Sequence, residues 1–416
     1  MDCFAPGRVV VAPAYHGIAE VEASLAEQIG MPFSIDYGVD DILNRYAERR
    51  RRRDGGREPA RSSWKQPLPL IGRVAEGAEE EAANRLSRLK PVVAACPDYQ
   101  VRPAASIDLN LAEIQTLAAS IGASPAAHIC GSGVVVGILD TGIDPAHLTP
   151  PAGIFPVQFN VKDPADHGAP PVDRDGHGTL VAAIIRYIAP AAELVSVQVT
   201  DGTATVSDIL AGLYLAADNG CDIINMSFSV SCDPDVCDVC RRPGPASTTI
   251  PQLAFFFDRF RHDNPECVLI AAAGNRAGAY DPHVAMPATF NGVFAVGQWG
   301  ENGGGPAENS RYRHVPSDRY ILAPGGSAAA ASALATRPGH SKAQAMFGTS
   351  FSTAFVSGVV ARYLCARSGG PCESGEPAAT ASTFDYVRHK LAACSDTNWA
   401  DFDPQKHGLG SLRYTV

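Results

Sequence analysis

The sequence predicts a doubly wound α/β protein, a mostly parallel sheet with helices on both faces, preceded by a small α+β domain. Two observations predict it. From Ile107 onward, apolar runs of strand length alternate with segments whose apolar residues recur every three or four positions, the rhythm of a parallel sheet with crossover helices. Before that point an arginine-rich stretch breaks the order, and the segments flanking it read as two halves of a separate unit.

In the first unit, residues 8–14 (RVVVAPA) read as a strand and residues 18–29 (IAEVEASLAEQI) as a helix. Residues 48–63 contain five consecutive arginines followed by Gly, Pro and Ser, with no apolar periodicity, and read as a flexible loop. PLIGRVA then predicts a strand, EEEAANRLSRLK an amphipathic helix and PVVAACPDYQV another strand, which places the domain at residues 1–104. In the second unit, residues 105–416, the strands are VVVGIL, ELVSVQV, CDIINMSFS and CVLIAAAGN. The helices are GHGTLVAAIIRYI, SDILAGLYLAADNG, closed by its glycine, and PQLAFFFDRFRHD. Sites on such sheets lie at the carboxyl ends of the strands.

Composition narrows the function classes. The 416 residues are 45% hydrophobic, ordinary for a packed protein, and carry a net charge of −10, which argues against a nucleic-acid binder. The positive charge is concentrated between Arg45 and Lys65, a solvated arm on an acidic body. The start of the chain has no basic leader before a short apolar run, and no apolar span of membrane length follows. Eleven scattered cysteines do not form a disulfide framework. These features predict no membrane partner and a cytoplasmic location, with secretion by another route left open.

Three separated segments carry a complete nucleophilic set. GILDTGID places Asp140 at a strand end, DGHGTLVAAI opens a helix at His177, and GTSFSTAFVSG opens another around Ser350. A serine hydroxyl attacks only when a base takes its proton, an imidazole suits that role near neutral pH, and a carboxylate fixes the imidazole's tautomer. Gly176 and Gly178 are expected to leave room around His177, and Gly348 to let a substrate approach Ser350. A helix start at Ser350 aims unsatisfied N–H groups at a developing oxyanion, and Asn275 in AAAGN can add a side-chain donor.

On the motifs LDTGID, DGHGT, NGCDIINMSFS, AAAGN, PATF, LAPG and GTSFS, residues 107 to 415 closely resemble the subtilisin-like serine protease family. The resemblance implies a serine endopeptidase acting on peptides, with Asp140 as orienting carboxylate, His177 as base and acid, Ser350 as nucleophile and Asn275 as oxyanion donor. It also implies that the strand Ser227, Phe228, Ser229 pairs with an extended substrate while Ala272, Ala273 and Gly274 wall a pocket. Leu180, Ala183, Ala354 and Phe355 depart from the family at helix positions where packing is expected, and Phe228 and Ser229 depart in the substrate strand. Residues 67–103 are similar to the family's inhibitory propeptide, so the N-terminal domain is expected to act as an intramolecular inhibitor until it is cut.

Other segments allow competing readings. Cys232, Cys237 and Cys240, in an expected insert at 230–247 on the cleft rim, are read as thiols without metal in preference to a zinc site or a disulfide. Asp163, Asp166, Asp173 and Asp175 are read as a solvated acidic loop in preference to a calcium site, although the family resemblance brings calcium into consideration. No cofactor is expected to be required. The glycines of GSGVVVG precede a strand instead of following one, which dismisses a dinucleotide fingerprint. The rival class is a non-catalytic protein that holds peptides in the cleft.

Overall fold

A computed structural model describes residues 4–13, 22–35, 70–89, 92–101, 111–123, 129–145, 148, 156–162, 173–201, 203–229, 251–275, 283–300, 304–312, 316–327, 333–335, 344–370 and 382–414. The arginine run, the segment holding Cys232, Cys237 and Cys240, and Asp163 and Asp166 lie outside the described residues.

The N-terminal unit contains β1 (Phe4–Pro13), α1 (Glu22–Ile29), β2 (Ser34–Ile35), β3 (Leu70–Arg73), α2 (Glu79–Leu86) and β4 (Val92–Val101). β1 lies antiparallel between β3 and β4. Period-two alternation gives the sheet two apolar faces. Val9 and Val11 pack with Leu25 of α1 and Leu86 of α2, whereas Val10, Ala12 and Ile71 join the core of the larger body.

The larger body follows with α3 (Leu111–Ser120), β5 (Val135–Asp140), β6 (Val157–Asn160), α4 (His177–Ile188), β7 (Glu193–Gln198), β8 (Ala204–Thr205), α5 (Val206–Asp218), β9 (Ile223–Met226), α6 (Pro251–Asp263), β10 (Val268–Ala272), β11 (Val293–Gln298), β12 (Tyr320–Ala323), β13 (Ala333–Ala335), β14 (Gln344–Met346), α7 (Thr349–Arg367), α8 (Thr383–Ala393), β15 (Ser395–Asp396), α9 (Pro404–His407) and β16 (Ser411–Leu412). Nine strands form one sheet in the order β15-β16-β12-β11-β10-β9-β5-β7-β6, parallel at every pairing except β15 with β16. The predicted doubly wound sheet is therefore present. Near-continuous apolar runs such as Val268–Ala272 form these strands because both faces are covered.

Helix α7 is buried from Thr349 to Ala366 and packs against α4 and the strands β9, β10 and β11. A helix apolar on all sides belongs in the middle of a core. Leu180, Ala183, Ala354 and Phe355 are all buried there, as expected for packing positions. Chain order reverses around β5, whose neighbours are β7 on one side and β9 on the other, and the crevice at such a reversal opens at the strands' carboxyl ends. Among the described residues no helix is long and apolar enough to cross a membrane.

Candidate active site

Asp140 is the last residue of β5, so the sheet delivers its carboxylate to the carboxyl edge. Its Oδ1 accepts hydrogen bonds from the Thr141 N–H at 2.8 Å and from Nδ1 of His177 at 2.7 Å, with both side chains buried. That contact fixes the proton of a neutral imidazole on Nδ1 and leaves a lone pair on Nε2. Nε2 is buried without a hydrogen-bond partner among the described residues.

His177 opens α4 hard against the Asp140 loop. A Cβ on Gly178 would lie 2.2 Å from the Gly142 carbonyl oxygen, so only glycine allows this approach. The Gly178 N–H donates to Thr141 Oγ1 at 2.9 Å. Asp173 accepts from the N–H groups of Gly176 and Thr179 and from the Thr179 hydroxyl, which itself accepts from the Asp144 N–H. Asp173 is thus committed to the start of α4 and is no freely solvated member of an acidic loop. Among the described residues no group of three or more His, Cys, Asp or Glu is placed to hold a metal ion.

Burial disfavours the imidazolium of His177, but the Asp140 charge and hydrogen bond, with Asp175 and Asp173 behind them, outweigh it and raise the pKa above its ordinary value. Burial raises Asp173 in turn, despite the hydrogen bonds from Thr179 and Gly176 that pull it down.

Ser350 is the second residue of α7, whose N-cap is Gly348. Its N–H therefore has no intrahelical acceptor, and it lies at the positive end of a long helix. The side chain is buried, and Oγ donates to the Ser227 carbonyl at 2.8 Å. Ser227, directly after β9, returns the contact by donating its own hydroxyl to the Ser350 carbonyl at 2.9 Å. The hydroxyl is thus held by the Ser227 carbonyl instead of by His177. The imidazole sits 5.6 Å, ring to ring, from the neighbouring Phe351.

Asn275 lies three residues past β10. Its Oδ1 accepts from both the N–H and the hydroxyl of Thr349, at 3.0 and 3.1 Å. With its oxygen occupied, the amide can offer only its N–H₂ end to a ligand. A Cβ on Gly348 would come within 2.8 Å of Asn275 Nδ2, so glycine lets the Asn275 amide lie close against the start of α7.

The remaining expected residues fall beside these groups with their side chains largely turned inward. Ser227, Phe228, Ala272 and Ala273 are buried and Ser229 is half-buried. Phe228 belongs to the core cluster, so its difference from the family is a packing change. Contact from these segments to a bound chain would use backbone, as strand addition does. Nothing in the sequence marks Arg311 as part of the site, whereas Thr349 lies within GTSFS and Asp173 sits among acidic neighbours that suggest a solvated loop.

Fold and site together define an α/β protein with a serine, histidine and aspartate gathered at the carboxyl edge of its sheet. Residues 131–383, more than half of the chain, match the Subtilase family (Peptidase_S8), and the chain belongs to that family. M-protease of Shouchella clausii (strain KSM-K16) is 31% identical over 273 residues, which cover 60% of this chain and 61% of that protein. Subtilisin BL of Lederbergia lenta is 30% identical over 255 residues, covering 57% of this chain and 80% of that protein. The match thus spans less than two thirds of M-protease's length. The solved structure of the prenylagaramide maturation protease PagA shares the fold at a TM-score of 0.50 and 23% identity, covering 71% of this chain and 95% of that one.

Proposed function

We propose that the chain is a serine endopeptidase that cleaves peptide bonds through an acyl-enzyme. The observation that carries this reading is the buried 2.7 Å contact between Asp140 and His177 beside the helix start that presents Ser350. Ser350 Oγ attacks the substrate carbonyl and passes its proton to His177 Nε2, while Asp140 stabilises the imidazolium. Asn275 Nδ2 and the Ser350 N–H hold the oxyanion. The imidazolium then protonates the leaving amine, and a water activated by the same base hydrolyses the ester. Every proton carrier and oxyanion donor in this scheme comes from the chain. Labelling of the purified protein by a fluorophosphonate, which reacts with an activated serine, tests the reading. No labelling after removal of residues 1–104 would favour the rival reading of a non-catalytic peptide holder.

His177 must be neutral to act as the base. With its pKa raised, kcat/KM should fall as pH drops through a value above 6.5. A pH profile whose acid limb lies at or below 6.5 would contradict this electrostatic account.

The second part of the proposal concerns residues 1–104, read as a separate domain that inhibits the body until it is cut. Its support is the docking of β4, where Gln100 and Val101 pair antiparallel with Thr205 and Ala204 of β8. Arg8 adds a 2.7 Å hydrogen bond to the Ser207 hydroxyl. A tail tethered this way competes with substrate at millimolar effective concentration. On incubation the wild type should release an N-terminal fragment of about one hundred residues, an ordinary domain size, and gain activity. Mass spectrometry and a peptide assay follow both events, and a chain fully active while uncut would sink the inhibitor reading. The cytoplasmic location expected from the sequence gains no support from the relatives.

A further inference from the structure

We propose that Arg311 is a positioning residue for Asn275, clamping the turn that carries the oxyanion donor. The inference rests on the peptidase reading above and adds to it a residue that acts from outside the triad. The side-chain oxygen of Asn275 is fixed by Thr349, but the direction of the amide also depends on the main chain at Gly274 and Asn275. Gly274 has φ +97°, open to glycine but rarely adopted by residues with a β-carbon, so local sterics do not fix the turn and its direction depends on what holds it.

Arg311 supplies that support from three directions. Its N–H donates to the Gly274 carbonyl at 3.0 Å, and its Nε donates to the Asn275 carbonyl at 3.2 Å. Nη1 reaches the His283 carbonyl at 3.4 Å, across the segment that pairs back onto Ala273. The aliphatic stem lies along the open side of Gly274, where a Cβ would meet Arg311 Cδ at 2.9 Å.

The clamp is itself anchored. Ser310 bridges to Asn275 and accepts from the Gln298 N–H of β11, while the Arg311 carbonyl accepts from Tyr320 of β12 at 3.0 Å. The turn is therefore tied through Arg311 to two central strands. A guanidinium keeps its charge at all working pH values and offers forked donors that a lysine lacks.

The test is a double-mutant cycle between Arg311 and Asn275, read as kcat and KM on a peptide substrate with melting temperature as the control. Arg311→Ala should lower kcat about tenfold with KM changed less than about twofold, a fraction of the 10²–10³ that follows loss of one oxyanion donor. In the Asn275→Ala background the same substitution should change kcat less than about twofold, because the group it positions is gone. Arg311→Lys should recover part of the loss, and it runs the same cycle if Arg311→Ala does not fold. Unchanged kcat in Arg311→Ala, or an equal fall in both backgrounds, would overturn the positioning role. Wild-type turnover that survives Ser350→Ala would instead overturn the peptidase reading on which it rests.

Discussion

Ser350→Ala should abolish fluorophosphonate labelling and lower peptide turnover by about 10⁶, a size set by the subtilisin nucleophile and not by this geometry. The substitution removes one buried oxygen whose present contact is the Ser227 carbonyl, so the fold should survive it. Ser227 keeps its own bonds to the Ser350 carbonyl and to Asn225, and these do not involve the lost hydroxyl. A circular dichroism spectrum and melting temperature matching the wild type would show that the effect is chemical. The resting contact adds a second expectation to the same experiment. Because Oγ points at the strand carbonyl, it must turn toward His177 Nε2 before attack, and apo geometries of this kind commonly tighten only when substrate is bound. Turnover within tenfold of the wild type would refute the assignment of Ser350.

Asp140→Asn should lower kcat by about 10⁴ while leaving the fold intact, a magnitude carried over from other triad carboxylates. The shapes match, so the packing around position 140 is kept. What changes is the proton on the ring. Asp140 Oδ1 meets both the Thr141 N–H and His177 Nδ1, so turning the amide N–H₂ toward Nδ1, which moves the ring proton to Nε2 where the base needs its lone pair, also strips the Thr141 N–H of its acceptor. The imidazolium also loses the charge that lies 2.7 Å away in the wild type. Kinetics of the purified variant decide the matter, and a loss smaller than tenfold would mean that Asp140 does not act through His177.

Some of this was legible in the sequence and some was not, for reasons that individual elements make clear. The helix Pro251–Asp263 matches its predicted span because an apolar face and a proline at the first position mark it. Buried strands such as Val135–Asp140 announce themselves as apolar runs. The strand Val157–Asn160 does not, since it is a half-exposed edge without such a run. The four residues read as the reacting group are each flanked by glycine or small residues at an element end, which is a local signal. Arg311 acts on a residue thirty-six positions earlier, and only the fold brings the two together. Asp173 carried a misleading signal, because its acidic neighbours suggested solvent while its own carboxylate caps a buried helix.

The pairing of β4 with β8 also bears on how the molecule avoids sticking to its own kind. β8 is two residues long, and among the described residues its sheet ends there. While Gln100 and Val101 occupy it, the backbone groups of Ala204 and Thr205 have a partner within the chain. If residues 1–104 are cut free as proposed, the same groups would form a bare strand edge, the kind of surface on which extended segments from other molecules build unwanted sheets. Its two-residue length would then limit the risk, since very short edges are one way proteins blunt an unpaired strand.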